Sequence, residues 1–208
     1  DSIIKLRRQI AAFFSHSCPE LLWAAPWVSK FPMTGRHPRI RVGVAVSRCS
    51  ALHISEMQRL FMANLDRNRF EVIFFHLHDE PENEYRTRAE AAADKVVLFP
   101  WGDLDRFRRI VAREELDVLL HENTISPSLI FAGFARLAPV QCVFFDGVQS
   151  NAAPNDDYNF IFGADCCSNE TRSQFAEKLV TLSGHPYAPI FPELKHQEIS
   201  RRDLGVPD

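Results

Sequence analysis

The chain has 208 residues, 46% apolar and 25% charged, with a formal net charge of −3. That length suits one large domain or a domain with an appendage, and the composition is that of a soluble globular fold. The charge excludes a bulk electrostatic case for nucleic acid, and no apolar run approaches the roughly 18 residues of a membrane span.

In chain order, Ile3, Leu6, Ile10, Phe13 and Phe14 recur at helical spacing and predict an amphipathic first helix that packs on another part of the protein. The opening is not a good signal peptide, because charge interrupts its apolar positions. The first residue is Asp, which predicts a piece of a longer polypeptide. Pro19, Pro26, Pro32 and Pro38 surround Trp23 and Trp27 and read as an irregular linker with hydrophobic anchors.

A regular alternation follows. "RIRVGVAV" (39–46) reads as strand one, "ISEMQRLFMANL" (54–65) as a helix and "RFEVIFFHLH" (69–78) as strand two. "ENEYRTRAEAAA" (82–93) is a strong helix former, and "KVVLFP" is a third strand. Asp103 stands where it would cap the helix "DLDRFRRIVAREE". "LDVLLHE" (116–122) is strand four, "SPSLIFAGFARL" a helix entered near Pro127, and "VQCVFF" strand five. "YNFIF" is strand six, and a short helix near 169–175 leads to a seventh strand, "KLVTLS". Strands alternating with helices predict an α/β fold, a Rossmann-like doubly wound and mostly parallel sheet, with an N-terminal helical extension. In such sheets ligands bind at the carboxyl ends of the strands.

Five cysteines without a CxxC pair suit a reduced, cytoplasmic protein. The adjacent Cys166 and Cys167 read as small residues at a helix start. Lys5-Arg7-Arg8 and Arg106-Arg108-Arg109 read as solvated helix faces. Of the eight histidines, His53, His76, His78, His121 and His185 fall at or just after strand ends, where they could donate, accept or move protons. His53, beside Ser47, Ser50 and Ser55, is a general base or acceptor-binding group in a functional reading. It is a histidine satisfied by backbone in a structural one. His76 and His78 form an HxH pair, but no third and fourth ligand can be assigned, and no metal is expected. There is no G-x-G-x-x-G after strand one, no Walker A loop and no G-x-S-x-G elbow, so a dehydrogenase, a P-loop enzyme and an α/β-hydrolase lose weight.

From Arg39 onward the residues resemble the catalytic region of the protein O-GlcNAc transferase family (glycosyltransferase family 41). "RIRVGVAVSRCSALHISEMQRLFMANLDRNRFEVIFFHL" is similar to its opening, and "LDVLLHE" to its D-I-L-V strand. "ARLAPVQCVFFDG" resembles its R-P-A-P-V-Q strand and "DDYNFIFGAD" its I-D-Y-x-I-x-D. "FAEKLVTLSGHPYAP" resembles its Y-S-E-K-L-V-R-L-P, and "RRDLGVPD" its R-x-x-L-G-L-P. The resemblance implies the N-terminal half of a GT-B glycosyltransferase. Residues 1–38 would be helix and linker, 39–200 the Rossmann-like half, and 201–208 the connection to a C-terminal half. It implies a UDP-sugar donor, a protein or peptide acceptor, and a fragment inactive without its other half.

By the same resemblance His53 would lie near the acceptor and the reacting sugar, as the catalytic candidate. His121, Glu122 and Asn123 would line the same wall, and Asp146, Gly147, Gln149 and Ser150 would contact sugar or acceptor. Three loops depart from the family pattern. "RCSALHI" shifts the histidine by about one position and lacks the proline, "HENTIS" replaces N-G-Y-T or S-G-H-T, and "DGVQSN" replaces G-Y-P-G-T. The diverged loops suit a branch with another donor or acceptor. They also suit a non-catalytic scaffold or partner subunit, because fold alone does not settle function. A free-standing flavodoxin-like ligand binder is a third reading.

Overall fold

The computed structural model describes residues 3–28, 37–47, 52–122, 127–144, 150, 152–162 and 168–183, with the backbone alone at 52–55, 127–128 and 162. Seven strands form one sheet: β1 (Ile40–Ala45), β2 (Phe70–Leu77), β3 (Lys95–Phe99), β4 (Val118–His121), β5 (Val140–Val143), β6 (Tyr158–Phe162) and β7 (Lys178–Leu182). Their order is β3-β2-β1-β4-β5-β6-β7, and every pairing is parallel. The chain starts at β1, winds outward to β3 and returns on the other side of β1 to β4. The switch point therefore lies between β1 and β4, the position at whose carboxyl edge open α/β sheets generally bind ligands.

The helices are α1 (Ile3–Ser17), α2 (Leu52–Ala63), α3 (Glu84–Glu90), α4 (Leu104–Arg113), α5 (Pro127–Ile130) and α6 (Asn169–Ser173). Asp103 caps α4 by accepting from the Arg106 N–H at 2.9 Å, and Asn83 caps α3 in the same way from Arg86 at 3.0 Å. The central strands are buried on both faces, as a doubly covered parallel sheet requires. On one face Val42, Val44, Val72, Phe74, Leu120 and Cys142 pack with Met62 of α2 and Ala89 of α3. On the other Ile73, Phe75 and Leu119 pack with Phe107 and Val111 of α4 and Leu129 of α5. Gly43 lets Leu116 pack closely on β1: a Cβ there would stand 2.4 Å from Leu116 Cδ1, which would have to shift.

Several elements differ from their sequence-based outlines. The helix expected over "SPSLIFAGFARL" is the four-residue α5 followed by a 3-10 turn at Ala132–Phe134. Gln141 holds the chain after it: its Nε2 donates to Ala135 O at 3.0 Å and to Asn155 O at 3.2 Å, and its Oε1 accepts from Ala138 N–H at 3.1 Å. Pro139 breaks the chain before β5. The linker tryptophans do anchor: Trp27 is buried and its indole N–H donates to Ala112 O at 3.0 Å.

The basic clusters are not solvated throughout. Arg108 is buried, with its guanidinium donating to Glu20 O at 2.8 Å and Leu21 O at 3.1 Å. Arg7 is half-buried and donates to Ser150 O. The first helix packs by Ile4, Ala11 and Phe14, the last edge-on to Phe131 and Phe134. Ile3, Leu6, Ile10 and Phe13 remain exposed.

Candidate functional site

The amino edge of the sheet is closed by ion pairs. Arg41 reaches Glu71 at 3.2 Å and Glu114 at 3.6 Å, and Lys95 meets Glu114 at 2.6 Å. Asp94 accepts from Val72 N–H at 2.8 Å and from Arg39 at 3.2 Å. Burial alone would raise the Asp94 pKa, but these bonds and the Arg67 charge hold it below the ordinary carboxylate value.

At the carboxyl edge two buried polar groups flank the switch point. Glu122 follows β4 directly. One carboxylate oxygen accepts from the Ser47 N–H at 2.9 Å and the Ser47 hydroxyl at 2.6 Å, and the other accepts from the Gln58 amide at 3.0 Å. Glu122 thus ties the end of β1 and the α2 helix to the end of β4. The tie sets where the β1–α2 connection departs, and His53 is the second residue of α2.

His121, the last residue of β4, is fully buried and points to the opposite layer. Its Nε2 lies 2.8 Å from Asp156 Oδ1 and its Nδ1 lies 2.9 Å from Glu122 O. Both partners are acceptors, so the geometry calls for a proton on each nitrogen. Burial disfavours that charge, but the Asp156 charge and hydrogen bond, the Glu122 carbonyl and Glu177 outweigh it, and the pKa is raised. Asp156 Oδ2 is buried without a hydrogen-bond partner and rests on Gly133, where a Cβ would stand 2.3 Å away.

Ser150 is buried as well. Its hydroxyl donates to Glu177 Oε1 at 2.9 Å and accepts from Ala152 N–H at 3.0 Å and Ala176 N–H at 3.2 Å. Burial, and secondarily the Asp156 charge, raises the Glu177 pKa despite these bonds. His121, Asp156, Ser150 and Glu177 are all buried, linked as the pairs His121–Asp156 and Ser150–Glu177.

Of the sequence-derived candidates, Glu122 bonds to Ser47 and Gln58 on one side of the sheet, His121 pairs with Asp156 on the other, and Ser150 pairs with Glu177 just before β7. His53 is placed by its backbone alone, and Asn123, Asp146, Gly147 and Gln149 lie outside the described residues. His76 is buried, bonded to Leu77 O at 3.0 Å and Glu90 at 2.8 Å, whereas His78 is exposed beside Asp79. Among the described residues no cluster of three or more His, Cys, Asp or Glu could hold a metal ion. A cleft of about 370 Å³ lies between Trp23 and α4, lined by Asp105, Arg108 and Arg109, and includes none of the switch-point residues.

Sequence reasoning missed Ser47, Gln58, Asp156 and Glu177 as partners. Asp156 stands in "DDYNFIF", where the doubled acid was visible but not its division of labour. Asp157 takes Arg136 at 2.6 Å and the Gln141 N–H at 2.9 Å, while Asp156 takes His121.

Comparison with known proteins agrees at the level of fold. The chain is similar to an O-GlcNAc transferase of Thermobaculum terrenum, solved as a point mutant, with a TM-score of 0.65 and 22% sequence identity. The match covers 87% of this chain and 34% of that one, so the chain spans about a third of that structure. At this identity the likeness is one of architecture, a Rossmann-like α/β half. No family model matches the sequence, and no curated protein does.

Proposed function

We propose that this chain is the N-terminal half of a nucleotide-sugar-dependent protein glycosyltransferase, acting once a second half closes the cleft. The reading rests chiefly on the Glu122–Ser47–Gln58 tie at the β1/β4 switch point, where α/β sheets bind ligands. The fold likeness to an O-GlcNAc transferase supports it. In the reaction, an acceptor side-chain oxygen bonds to the anomeric carbon of the sugar. The bond from that carbon to the UDP phosphate oxygen breaks, and UDP leaves with the electron pair. The acceptor proton passes to a base, for which His53 at the start of α2 is the candidate.

Asn123, Asp146, Gly147 and Gln149, on the loops after β4 and β5, would touch sugar or acceptor. His121, Glu122 and Ser150 act as positioning residues, because their polar atoms are committed to Asp156, Ser47, Gln58 and Glu177. That commitment also favours a second reading, a non-catalytic scaffold or partner subunit on the same fold.

Calorimetric titration of UDP and UDP-sugars separates the two. Binding by a native polypeptide that continues past Asp208, and not by this chain alone, is expected for a split-cleft transferase. If neither binds, the scaffold reading stands. In an active longer polypeptide, His53→Ala is expected to lower kcat/KM at least about 100-fold, the usual scale of general-base removal. An unchanged kcat/KM rules out that role.

A further inference from the structure

The packed face of α1 carries one charge. Ile4, Arg7, Ala11 and Phe14 follow one another at spacings of 3, 4 and 3, which is a single helical stripe. Ile4 and Ala11 are buried, and Phe14 lies edge-on to Phe131 and Phe134. Lys5 and Arg8 are exposed, whereas Arg7, inside the stripe, is half-buried. A charge set in a packing stripe requires a polar partner. Arg7 reaches one 143 residues away: its guanidinium donates to the Ser150 carbonyl, and a charged donor strengthens such a bond.

Ser150 is itself a point of attachment. It is buried, its hydroxyl accepts from the Ala152 and Ala176 N–H groups and donates to Glu177, and it thus fastens the chain before β6 to the chain after it. Two residues on, Ala152 has a φ of 55°, in the left-handed region that residues other than glycine seldom occupy. Such a conformation persists where the surroundings fix it, and it recurs at functional sites. The bond from Ala152 N–H to Ser150 fixes it on one side. On the other, Ala152 and Ala153 share one apolar cluster with Ala11 and Phe14 of α1. Helix α1 therefore holds this segment twice, by apolar contact at Ala152 and Ala153 and by Arg7 at the Ser150 carbonyl.

We propose that Arg7 is a positioning residue for the glycosyl-transfer site, acting through Ser150. Ser150 directly follows Gln149, a candidate contact for sugar or acceptor, so a pinned Ser150 carbonyl fixes the chain next to that contact. The inference rests on the glycosyltransferase reading, and it makes α1 part of the catalytic framework rather than an appendage.

Arg7→Met keeps the apolar stem and removes the guanidinium, and Arg7→Lys keeps a charged donor. Hydrogen exchange of this chain reads the anchor without any activity. R7M is expected to speed exchange at the Ala152 and Ala176 amides at least about tenfold, the scale of one hydrogen bond to a charged group, and to leave the β1 amides unchanged. In an active native polypeptide that continues past Asp208, R7M is expected to lower kcat/KM by a similar factor and R7K to recover most of the loss. Because the two residues act as one unit, R7M combined with Ser150→Ala should lose no more than the larger single variant, whereas separate effects multiply. Unchanged exchange at Ala152 and Ala176 in R7M removes the anchor, and equally faster exchange throughout the chain makes Arg7 a general packing residue; either result overturns the proposal. Locally faster exchange with an unchanged kcat/KM overturns it too, as do multiplying losses in the double variant. A parent polypeptide that transfers no sugar overturns the glycosyltransferase reading and the proposal with it, and the exchange result tells that failure apart from a wrong anchor.

Discussion

Asp156→Ala tests the buried His121–Asp156 pair most directly. In the wild type, Asp156 Oδ1 lies 2.8 Å from His121 Nε2, with side chains 1% and 0% exposed. Without the carboxylate, the buried imidazolium loses its hydrogen-bonded counter-charge and keeps only the weaker influence of Glu177, so burial drives His121 toward the neutral form. Its Nδ1–H keeps the bond to Glu122 O, and Nε2 is left as a buried acceptor without a donor. Removing one partner of a buried ion pair costs about 3–5 kcal/mol. With a urea slope of about 2 kcal/mol per molar, that moves the unfolding midpoint down by roughly 1.5 to 2.5 M.

Asp156→Asn keeps the volume and offers an amide N–H to the neutral Nε2, so its cost is expected at about 1–2 kcal/mol. The assay is urea unfolding followed by tryptophan fluorescence and far-UV circular dichroism, whose transitions must coincide. The pH dependence supplies a second readout. The folded His121 holds its proton above its ordinary value. Its contribution is therefore complete below about pH 6.5, the unfolded value, and is lost as pH rises through the folded value. The gap between wild type and Asp156→Ala should shrink from pH 6 to pH 9. A loss below about 0.5 kcal/mol at pH 6, the scale of a surface substitution, would refute the reasoning.

Three further outcomes follow from the same geometry. Gly133→Ala puts a Cβ 2.3 Å from Asp156 Oδ2 and 2.6 Å from its Cγ, and should cost about 1–3 kcal/mol. Most of that penalty should vanish in an Asp156→Ala background, and a strictly additive double mutant contradicts the contact. Glu122→Gln sets an amide N–H₂ against the donors of Ser47 or Gln58. It should cost about 1–3 kcal/mol and speed hydrogen exchange at the Ser47 amide, and unchanged exchange there would remove Glu122 as the tie. The Cys142 thiol is pushed up to about 12, by burial first and then by the Asp157 and Asp156 charges. Iodoacetamide at pH 8 should leave Cys142 unmodified until urea unfolds the chain, and rapid native labelling contradicts its burial.

The architecture is legible in the residues, because the terms that select it are local. β-Branched and aromatic runs such as "RVGVAV" and "EVIFFHL" favour extended backbone, the helical segments between them repeat at 3.6, and Asp103 and Pro127 mark helix starts. Seven strands in that order leave few arrangements besides a doubly wound parallel sheet, and the carboxyl edge of β1 and β4 follows from it. The segments that carry the family resemblance include β1, β2, β4, β5, β6 and β7.

What the polar residues do depends on packing between distant parts of the chain. His121 meets Asp156 across 35 residues and Glu122 meets Ser47 across 75. A side chain at a strand end reads alike in sequence whether it faces a crevice or a buried partner, and the energy that decides is desolvation, which depends on what packs above it. Arg108 in a basic run reads as solvated, yet two carbonyls of the 3-10 turn at Pro19–Leu22 bury it. The apolar periodicity of α1 established an amphipathic helix. Which of its two apolar faces meets the domain was settled by the shape of the surface formed by Phe131, Phe134 and Ala153, and that settlement leaves Ile3, Leu6, Ile10 and Phe13 exposed.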